Sequence, residues 1–220
     1  MTLRSVNEIE VTLRKAAVGA GWPLGLAEEA GRSAAWLAAT GTNGVGMCVD
    51  ALSEPFTGFD GFQERDGTAF VGTPVNALWF GPAVADRLYT GDFMPVSAAA
   101  VVSPLLCLPP VAEAARTVGV PLIVAVDGEG VACLPEGVVL RAGWPDMAET
   151  ASVGINLVKS VALDGACKNL SFRYKQSLEN GIPVADTDWV EAVALAAKTM
   201  VPATEGSRQA GAGAGAIDNE

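Results

Sequence analysis

Helical patterns occupy the two ends of this chain and strand patterns its middle, an order that favours an α+β fold. The first helix is predicted to begin at Ser5-Val6-Asn7-Glu8, because the S-x-x-E spacing lets the hydroxyl and the carboxylate each satisfy a free backbone N–H. A buried stripe follows at three- and four-residue steps: Ile9, Leu13, Ala16, Ala17 and Ala20. A second helix is predicted from about Leu24 to Ala39, ending at Gly41, so residues 1–40 form a helical hairpin.

The middle of the chain contains short apolar or alternating runs typical of strands. Strands are predicted within residues 70–80, 96–108, 122–126, 131–134, 138–140, 153–158 and 170–175. The sequence Asp127-Gly128-Glu129-Gly130 predicts a tight hairpin turn between two of them. Residues 47–67 are interpreted as an irregular loop with short helix, and residues 110–118 as a short helix.

The last periodic segment predicts a helix capped by Asp186 or Thr187 and ended by Pro202. Its apolar face is predicted to carry Val190, Val193, Ala194, Ala197 and Val201. The expected organisation is a single domain over 1–220, with the hairpin at 1–40, a strand-rich core at 68–178, and the C-terminal helix with an ordered tail at 186–220. The strands are expected to be mostly antiparallel. A parallel segment around residues 96–126 leaves an α/β fold as the alternative.

The charge balance bears on the choice of partners. The 220 residues include 25 acidic and 14 basic side chains, for a formal net charge of -11. Such a chain repels nucleic-acid phosphates and anionic membrane surfaces, so neither is expected as a partner. Prolines and polar residues interrupt the longest apolar stretches, so no spanning helix is expected. The first residues do not resemble a secretory signal, and a cytoplasmic location is expected.

The chain has four cysteines and no histidine. Cys48, Cys107, Cys133 and Cys167 are far apart in sequence, which argues against a zinc site. Cys107 and Cys133 lie in apolar runs and are expected to be small buried hydrophobes. Cys167 precedes Lys168, whose ammonium favours a thiolate, so a nucleophilic role is the alternative for that residue.

The C-terminal segment alternates Gly and Ala and follows a polar stretch. Backbone N–H groups of Gly211 and Gly213 could form part of an anion-binding turn, and Arg208 could bind a carboxylate or phosphate in bidentate fashion. Thr204, Glu205 and Ser207 supply further polar groups. The alternative is that Arg208 pairs with Glu205 while the Gly-Ala run packs against the core or a neighbouring subunit.

Two segments of the sequence carry a family resemblance. Residues 15–31, which read Lys-Ala-Ala-Val-Gly-Ala-Gly-Trp-Pro-Leu-Gly-Leu-Ala-Glu-Glu-Ala-Gly, and the motif Val201-Pro202-Ala203-Thr204-Glu205 with Gly211–Gly215 resemble a bacterial family catalogued as domain of unknown function family 3726. The resemblance implies one folded unit of about this length, to which both termini belong. It implies no activity.

These observations lead to two hypotheses about function. The first is a metabolic protein, with or without catalysis, that binds a small anionic metabolite where the Gly-Ala segment meets the N-terminal helices. Its ligand-binding candidates are Glu28, Arg173, Thr204, Glu205, Ser207, Arg208, Gly211 and Gly213. No catalytic residue or cofactor is assigned. The second hypothesis is a non-catalytic subunit that uses its termini for contacts in a homo-oligomer or other assembly.

Overall fold

A computed structural model describes residues 1–54, 59–140, 150–157 and 168–200. The helices are α1 (Val6–Gly19), α2 (Leu24–Thr40), α3 (Gly44–Ser53), α4 (Ala77–Tyr89), α5 (Leu108–Val118), α6 (Ser171–Asn180) and α7 (Asp186–Ala197), with a 3-10 turn at Pro104–Cys107. The strands are β1 (Thr2–Arg4), β2 (Gln63–Arg65), β3 (Thr68–Val71), β4 (Val75–Asn76), β5 (Val96–Val102), β6 (Leu122–Val126), β7 (Glu129–Leu134), β8 (Gly137–Leu140), β9 (Thr150–Leu157), β10 (Lys168–Asn169) and β11 (Ile182–Val184).

The predicted helical hairpin is confirmed. The Ser5 hydroxyl accepts a hydrogen bond from the Glu8 backbone N–H at 3.1 Å. Ser5 is thus the N-cap, and α1 begins directly after it, at Val6. Helix α2 ends at Gly41, which adopts φ 98°, a left-handed conformation that favours glycine. The two helices are close because Gly31 has no side chain: a Cβ there would lie 2.5 Å from the Glu10 carbonyl oxygen.

The sheet confirms the α+β prediction. Its strand order is β10-β8-β7-β6-β9-β5-β3-β2, with β4 beside β5. Only the pairs β3–β5 and β4–β5 are parallel among the described strands, so the sheet is mostly antiparallel. Asp127 and Gly128, with φ 45° and 85°, form the predicted turn between β6 and β7.

The first strand of the chain, β1, pairs with β11 in a second, two-stranded antiparallel sheet. This pairing and the packing of α1 against α7 join the beginning of the chain to its last described helix. Helix α2 lies at the centre of the helices, in contact with α1, α3, α4, α5 and α6. It therefore supplies buried residues to the core on several sides, and it positions one wall of the site described below.

The strand prediction for residues 70–80 is correct only at its start. Strand β4 covers Val75–Asn76, and the apolar run after it is the first turns of α4. The Asn76 side-chain oxygen accepts from the Leu78 N–H at 3.0 Å and so starts the helix. A short, continuous apolar run fits a buried helix as well as a buried strand, which explains the error.

The strand predicted at residues 170–175 is a helix, α6. The alternation of Leu170, Phe172 and Tyr174 was misleading, since Leu170 is buried just before the helix and Phe172 is 73% exposed. The Ser177 hydroxyl donates to the Ala39 carbonyl at 2.8 Å and fixes α6 against the end of α2. A strand would have placed Arg173 and Lys175 on one face, but in a helix residues two apart point to different sides.

Two further boundaries differ from prediction, and one further prediction falls outside the described residues. The short helix expected within residues 47–67 is α3, but it begins earlier, at Gly44, where the Asn43 side-chain oxygen accepts from Gly46 N–H at 3.2 Å. Strand β5 ends at Val102, because Ser103 adopts φ 51° and turns the chain into the 3-10 turn. Residues 201–220, predicted as an ordered tail, lie outside the described residues.

The start of helix α7 was predicted correctly, but its cap, its face and its end were not, since α7 ends at Ala197 rather than at Pro202. Asp186 lies inside the helix and accepts from the Thr2 hydroxyl at 2.7 Å, so its carboxylate serves β1 rather than the α7 backbone. The buried residues of α7 are Ala192 and Ala196, whereas Val190 and Val193 are exposed. Within the described ranges, no helix is both long enough and apolar enough to cross a membrane.

Candidate functional site

A cleft of about 770 Å³ lies between α2, α4, α5, α6 and the turn that joins β7 to β8. Helix α2 supplies one wall with Glu29, Arg32, Ser33 and Trp36, whose spacing of three and four residues places them on one side of the helix. The opposite side of α2 is anchored in the core by small and aliphatic residues. The cleft wall is therefore held by a rigid, packed helix.

Ser33 is the most buried polar side chain of this wall. The residue is only 2% exposed, and its hydroxyl makes no hydrogen bond with the described part of the chain. A buried hydroxyl without a protein partner is costly unless water or a ligand bonds to it. Ser33 is thus a hydrogen-bonding group available at the base of the cleft.

Eight charged side chains line the cleft. The acidic ones are Glu10, Glu29, Asp86, Glu113 and Glu136, and the basic ones are Arg32, Arg116 and Lys175. Their sources are α1, α2, α4, α5, α6 and the β7–β8 turn, so the tertiary fold brings them together.

Two ion pairs within this group repeat the same local pattern. Glu29 pairs with Arg32 on α2, and Glu113 pairs with Arg116 on α5, each at a spacing of three residues. Hydrogen bonding from Arg116 lowers the pKa of Glu113. Burial raises the pKa of Glu29, and the nearby negative charges of Asp86 and Glu28 act in the same direction, while Arg32 opposes the rise.

The other charged groups of the cleft have no such partner. Glu10, Asp86, Glu136 and Lys175 form no ion pair with any residue in the described ranges. Three carboxylates and one ammonium are therefore available to an incoming ligand without breaking a bond inside the protein.

Rings and prolines form much of the remaining lining. Trp36, Tyr89 and Tyr174 come from three different helices, and Pro109 and Pro110 lie in the first turn of α5. Rigid rings beside a few charged groups are typical of small-molecule sites, and the volume is in the range such sites occupy.

The structure places the predicted site residues in different regions. Glu28 is exposed on α2 and does not line the cleft, whereas its neighbour Glu29 does. Arg173 is exposed on α6 and donates to the Thr40 carbonyl at 3.5 Å, outside the cleft lining. Thr204, Glu205, Ser207, Arg208, Gly211 and Gly213 lie outside the described residues.

Sequence reasoning missed most of the cleft, although one signal was present. The pattern Glu-x-x-Arg occurs twice in helical segments, at Glu29–Arg32 and at Glu113–Arg116, and both copies line the cleft. Lys175 is also part of the basic group near Arg173 in sequence. Nothing in the sequence indicates that α2, α5 and α6 meet.

The prediction of buried thiols is confirmed for Cys107 and Cys133, and Cys48 is buried as well. Cys48, Cys107 and Cys133 are free and buried. Burial raises the pKa of Cys48 and of Cys133 to about 12 each, and it raises the pKa of Cys107 further. Cys167, for which a nucleophilic role was the alternative, lies outside the described residues.

Comparison with known proteins confirms the family resemblance over the start of the chain. The family model described as "Protein of unknown function (DUF3726)" matches residues 4–76, a range that contains the Lys15–Gly31 segment but not the C-terminal motif. No curated protein matches the chain. The family description assigns no activity.

One solved structure with a related shape is the crystal structure of malate dehydrogenase from Entamoeba histolytica. The TM-score is 0.45 at 10% sequence identity, with 86% of this chain and 60% of that chain covered. The present chain thus spans less than two thirds of the length of that enzyme. A likeness at this level does not extend malate dehydrogenase activity to the present chain.

Proposed function

We propose that this protein binds a small anionic metabolite, a carboxylate or a phosphate, in the cleft walled by α2, α4, α5 and α6. The observation that carries the proposal is the presence of Arg32, Arg116 and Lys175, from three different helices, around one cleft of about 770 Å³ in a chain of net charge -11. Lys175 can bind the anion without giving up another partner, because it has no ion pair with the described residues.

Arg32 and Arg116 supply two further cations that can bind the anion. Each is held by a carboxylate of its own helix, Glu29 or Glu113. The Glu113–Arg116 pair is exposed and costs little to rearrange, whereas Glu29 is half-buried. A guanidinium can bind a carboxylate or phosphate through two parallel hydrogen bonds. Glu29, whose pKa is raised, is suited to proton transfer if the bound metabolite is also transformed.

A binding experiment on matched variants tests the proposal. Thermal unfolding and calorimetry are measured with inorganic phosphate, succinate and glutarate for the native chain, Lys175→Gln and Lys198→Gln. Lys198 follows α7 and does not line the cleft. We expect at least one anion to raise the Tm of the native chain and of Lys198→Gln. We expect Lys175→Gln to lose most of that rise.

Two outcomes contradict the proposal. One is that no anion of the panel stabilises the native chain. The other is that Lys175→Gln and Lys198→Gln respond alike, which would place any bound anion outside this cleft.

The C-terminal part of the sequence-based hypothesis stays a proposal. Arg208 is proposed to add a cation to the site, and the backbone of Gly211 and Gly213 to approach the ligand. A chain truncated after Gln209 lacks the Gly-Ala run but retains Arg208. The Arg208→Gln variant of the full chain retains the Gly-Ala run but lacks the guanidinium. If both bind the anions as the full chain does, the C-terminal segment has no part in the site.

A role as an assembly subunit is the second candidate. The specific observation is that α6 and α7 expose large apolar side chains: Phe172 is 73% exposed, Leu178 59% and Val190 66%. Exposed apolar groups on adjacent segments are typical of contact surfaces. Light scattering on Phe172→Ser and on the chain truncated after Gln209 distinguishes the subunit role from metabolite binding. Loss of an oligomer with intact folding favours the subunit role.

The three free, buried thiols also bear on location. Unpaired cysteines are typical of proteins in a reducing compartment. We therefore keep a cytoplasmic location as part of the proposal.

A further inference from the structure

The balance of charge in the cleft narrows the class of ligand. Once the pairs Glu29–Arg32 and Glu113–Arg116 are set aside, the described lining retains one ammonium and three carboxylates without ion-pair partners. A ligand with an anionic group alone would neutralise Lys175 and leave Glu10, Asp86 and Glu136 around it. Like charges at close range oppose binding, so a purely anionic ligand is expected to bind this cleft less tightly than one that also carries a cationic group.

Two carboxylates of the cleft, Asp86 and Glu29, lie near each other. Asp86 on α4 is near enough to Glu29 on α2 for its charge to hinder ionisation of that side chain, and Glu10 on α1 lines the same cleft. A cation placed between α2 and α4 would relieve this repulsion. Lys175 belongs to α6, a different wall.

The buried hydroxyl of Ser33 is a second, independent feature. It lines the cleft at 2% exposure and has no hydrogen-bond partner among the described residues, so water or a polar ligand group in the cleft can bond to it. A hydroxyl both donates and accepts, and it can serve either charged end of a ligand.

We propose that the ligand of this cleft is zwitterionic, with an anionic group bound by Lys175 and an ammonium group bound by Asp86. Amino acids and aminoalkyl phosphates are the chemical class with both groups on a small skeleton. This inference rests on the proposed function, because it assigns the second charge of the ligand that the proposed site would hold.

Matched ligand pairs test the zwitterionic ligand separately from the anion site of the proposed function. Calorimetric affinities are measured for L-glutamate against glutarate, β-alanine against propionate, and phosphoethanolamine against ethyl phosphate; each pair differs by one amine. We expect the amine-bearing member of at least one pair to bind about five- to tenfold tighter, the gain of one well-placed charge pair.

Variants assign the amine contact to its residue. Asp86→Asn is expected to bring the affinity ratio of that pair close to one, while Asp60→Asn, an exposed control outside the cleft, keeps the ratio. Lys175→Gln is expected to weaken both members of the pair by the same factor, because both carry the anion.

Each result decides between the claims. Equal affinities within every pair that binds would overturn the zwitterionic ligand and leave the anion site standing. An amine preference that persists in Asp86→Asn would also overturn it. If no member of any pair binds, both the inference and the proposed function are wrong.

Discussion

The guanidinium carbon of Arg4 lies 4.4 Å from the centroid of the Trp189 ring. Arg4 ends β1, Trp189 lies in α7, and the guanidinium also bonds Glu8 at 2.7 Å. The contact therefore joins the beginning of the chain to its last described helix through a half-buried cation and an aromatic face.

Removing either partner of this contact is expected to destabilise the fold. Arg4→Met keeps the aliphatic stem of the side chain and removes the charge, and Trp189→Leu keeps an apolar group and removes the ring. A double-mutant cycle by urea unfolding should give a coupling free energy of about 0.5–1 kcal/mol. Strictly additive single variants would show that the contact contributes nothing.

Gly31 should not tolerate even a methyl group. A Cβ at this position would lie 2.5 Å from the Glu10 carbonyl oxygen and 3.1 Å from the Arg14 nitrogen, both backbone atoms of α1. Gly31→Ala is expected to lower the free energy of unfolding by about 1–3 kcal/mol, since α1 must shift. Denaturant unfolding measures the loss.

Gly25 provides the matched control on the same helix. Nothing lies within 4 Å of a Cβ at Gly25, so Gly25→Ala is expected to be neutral or to stabilise by up to about 1 kcal/mol through helix propensity. Equal effects of the two substitutions would contradict the close approach of α1 and α2 at Gly31.

The stability contributed by Glu29 should fall as the pH rises. Burial raises the pKa of this carboxyl above its usual value of 4.5, so the folded state holds the proton more tightly than the unfolded state does. The native chain therefore loses stability, relative to Glu29→Gln, as the pH rises from about 4.5 through the folded-state pKa.

Urea unfolding of both chains at about pH 4 and at about pH 7 measures this difference. Glu28→Gln, at the exposed neighbouring position, controls for the loss of one negative charge. A native chain that gains stability relative to Glu29→Gln over the same interval would show that pairing with Arg32 outweighs burial.

The three described cysteines should be unreactive in the folded protein. Thiolate is the reactive form, and the pKa of Cys48 and of Cys133 is raised to about 12 by burial. In a Cys167→Ser chain, a disulfide reagent at about pH 8 is expected to label no thiol before unfolding and three after it. Rapid labelling of the folded chain would contradict the burial of these side chains.

Local signals in the sequence predicted the fold wherever neighbouring residues decide the backbone conformation. The Ser5–Glu8 cap, the Gly41 stop and the Asp127-Gly128 turn act within a few residues, and all three are found where predicted. Residues 77–80 and 171–175 were predicted as strand but are helical, because a short apolar or alternating run does not decide between the two. The second segment is held against α2 by a tertiary contact of Ser177 with Ala39.

The candidate site was less accessible to sequence reasoning for the same reason. Glu29, Asp86, Glu113 and Lys175 are far apart in sequence, and each by itself is an ordinary charged residue on a helix surface. Only the packing of α4, α5 and α6 around α2 makes them neighbours. The family match ends at residue 76, before three of these four residues.

The pairing of Thr2 with Val184 has a consequence for synthesis on the ribosome. Strand β1 leaves the exit tunnel long before its partner β11 has been translated. The backbone hydrogen-bonding groups of β1 therefore stay unpaired while the intervening strands emerge. When β11 and then α7 emerge, β11 pairs with β1 and α7 packs against α1, which makes this closure a late step of biogenesis.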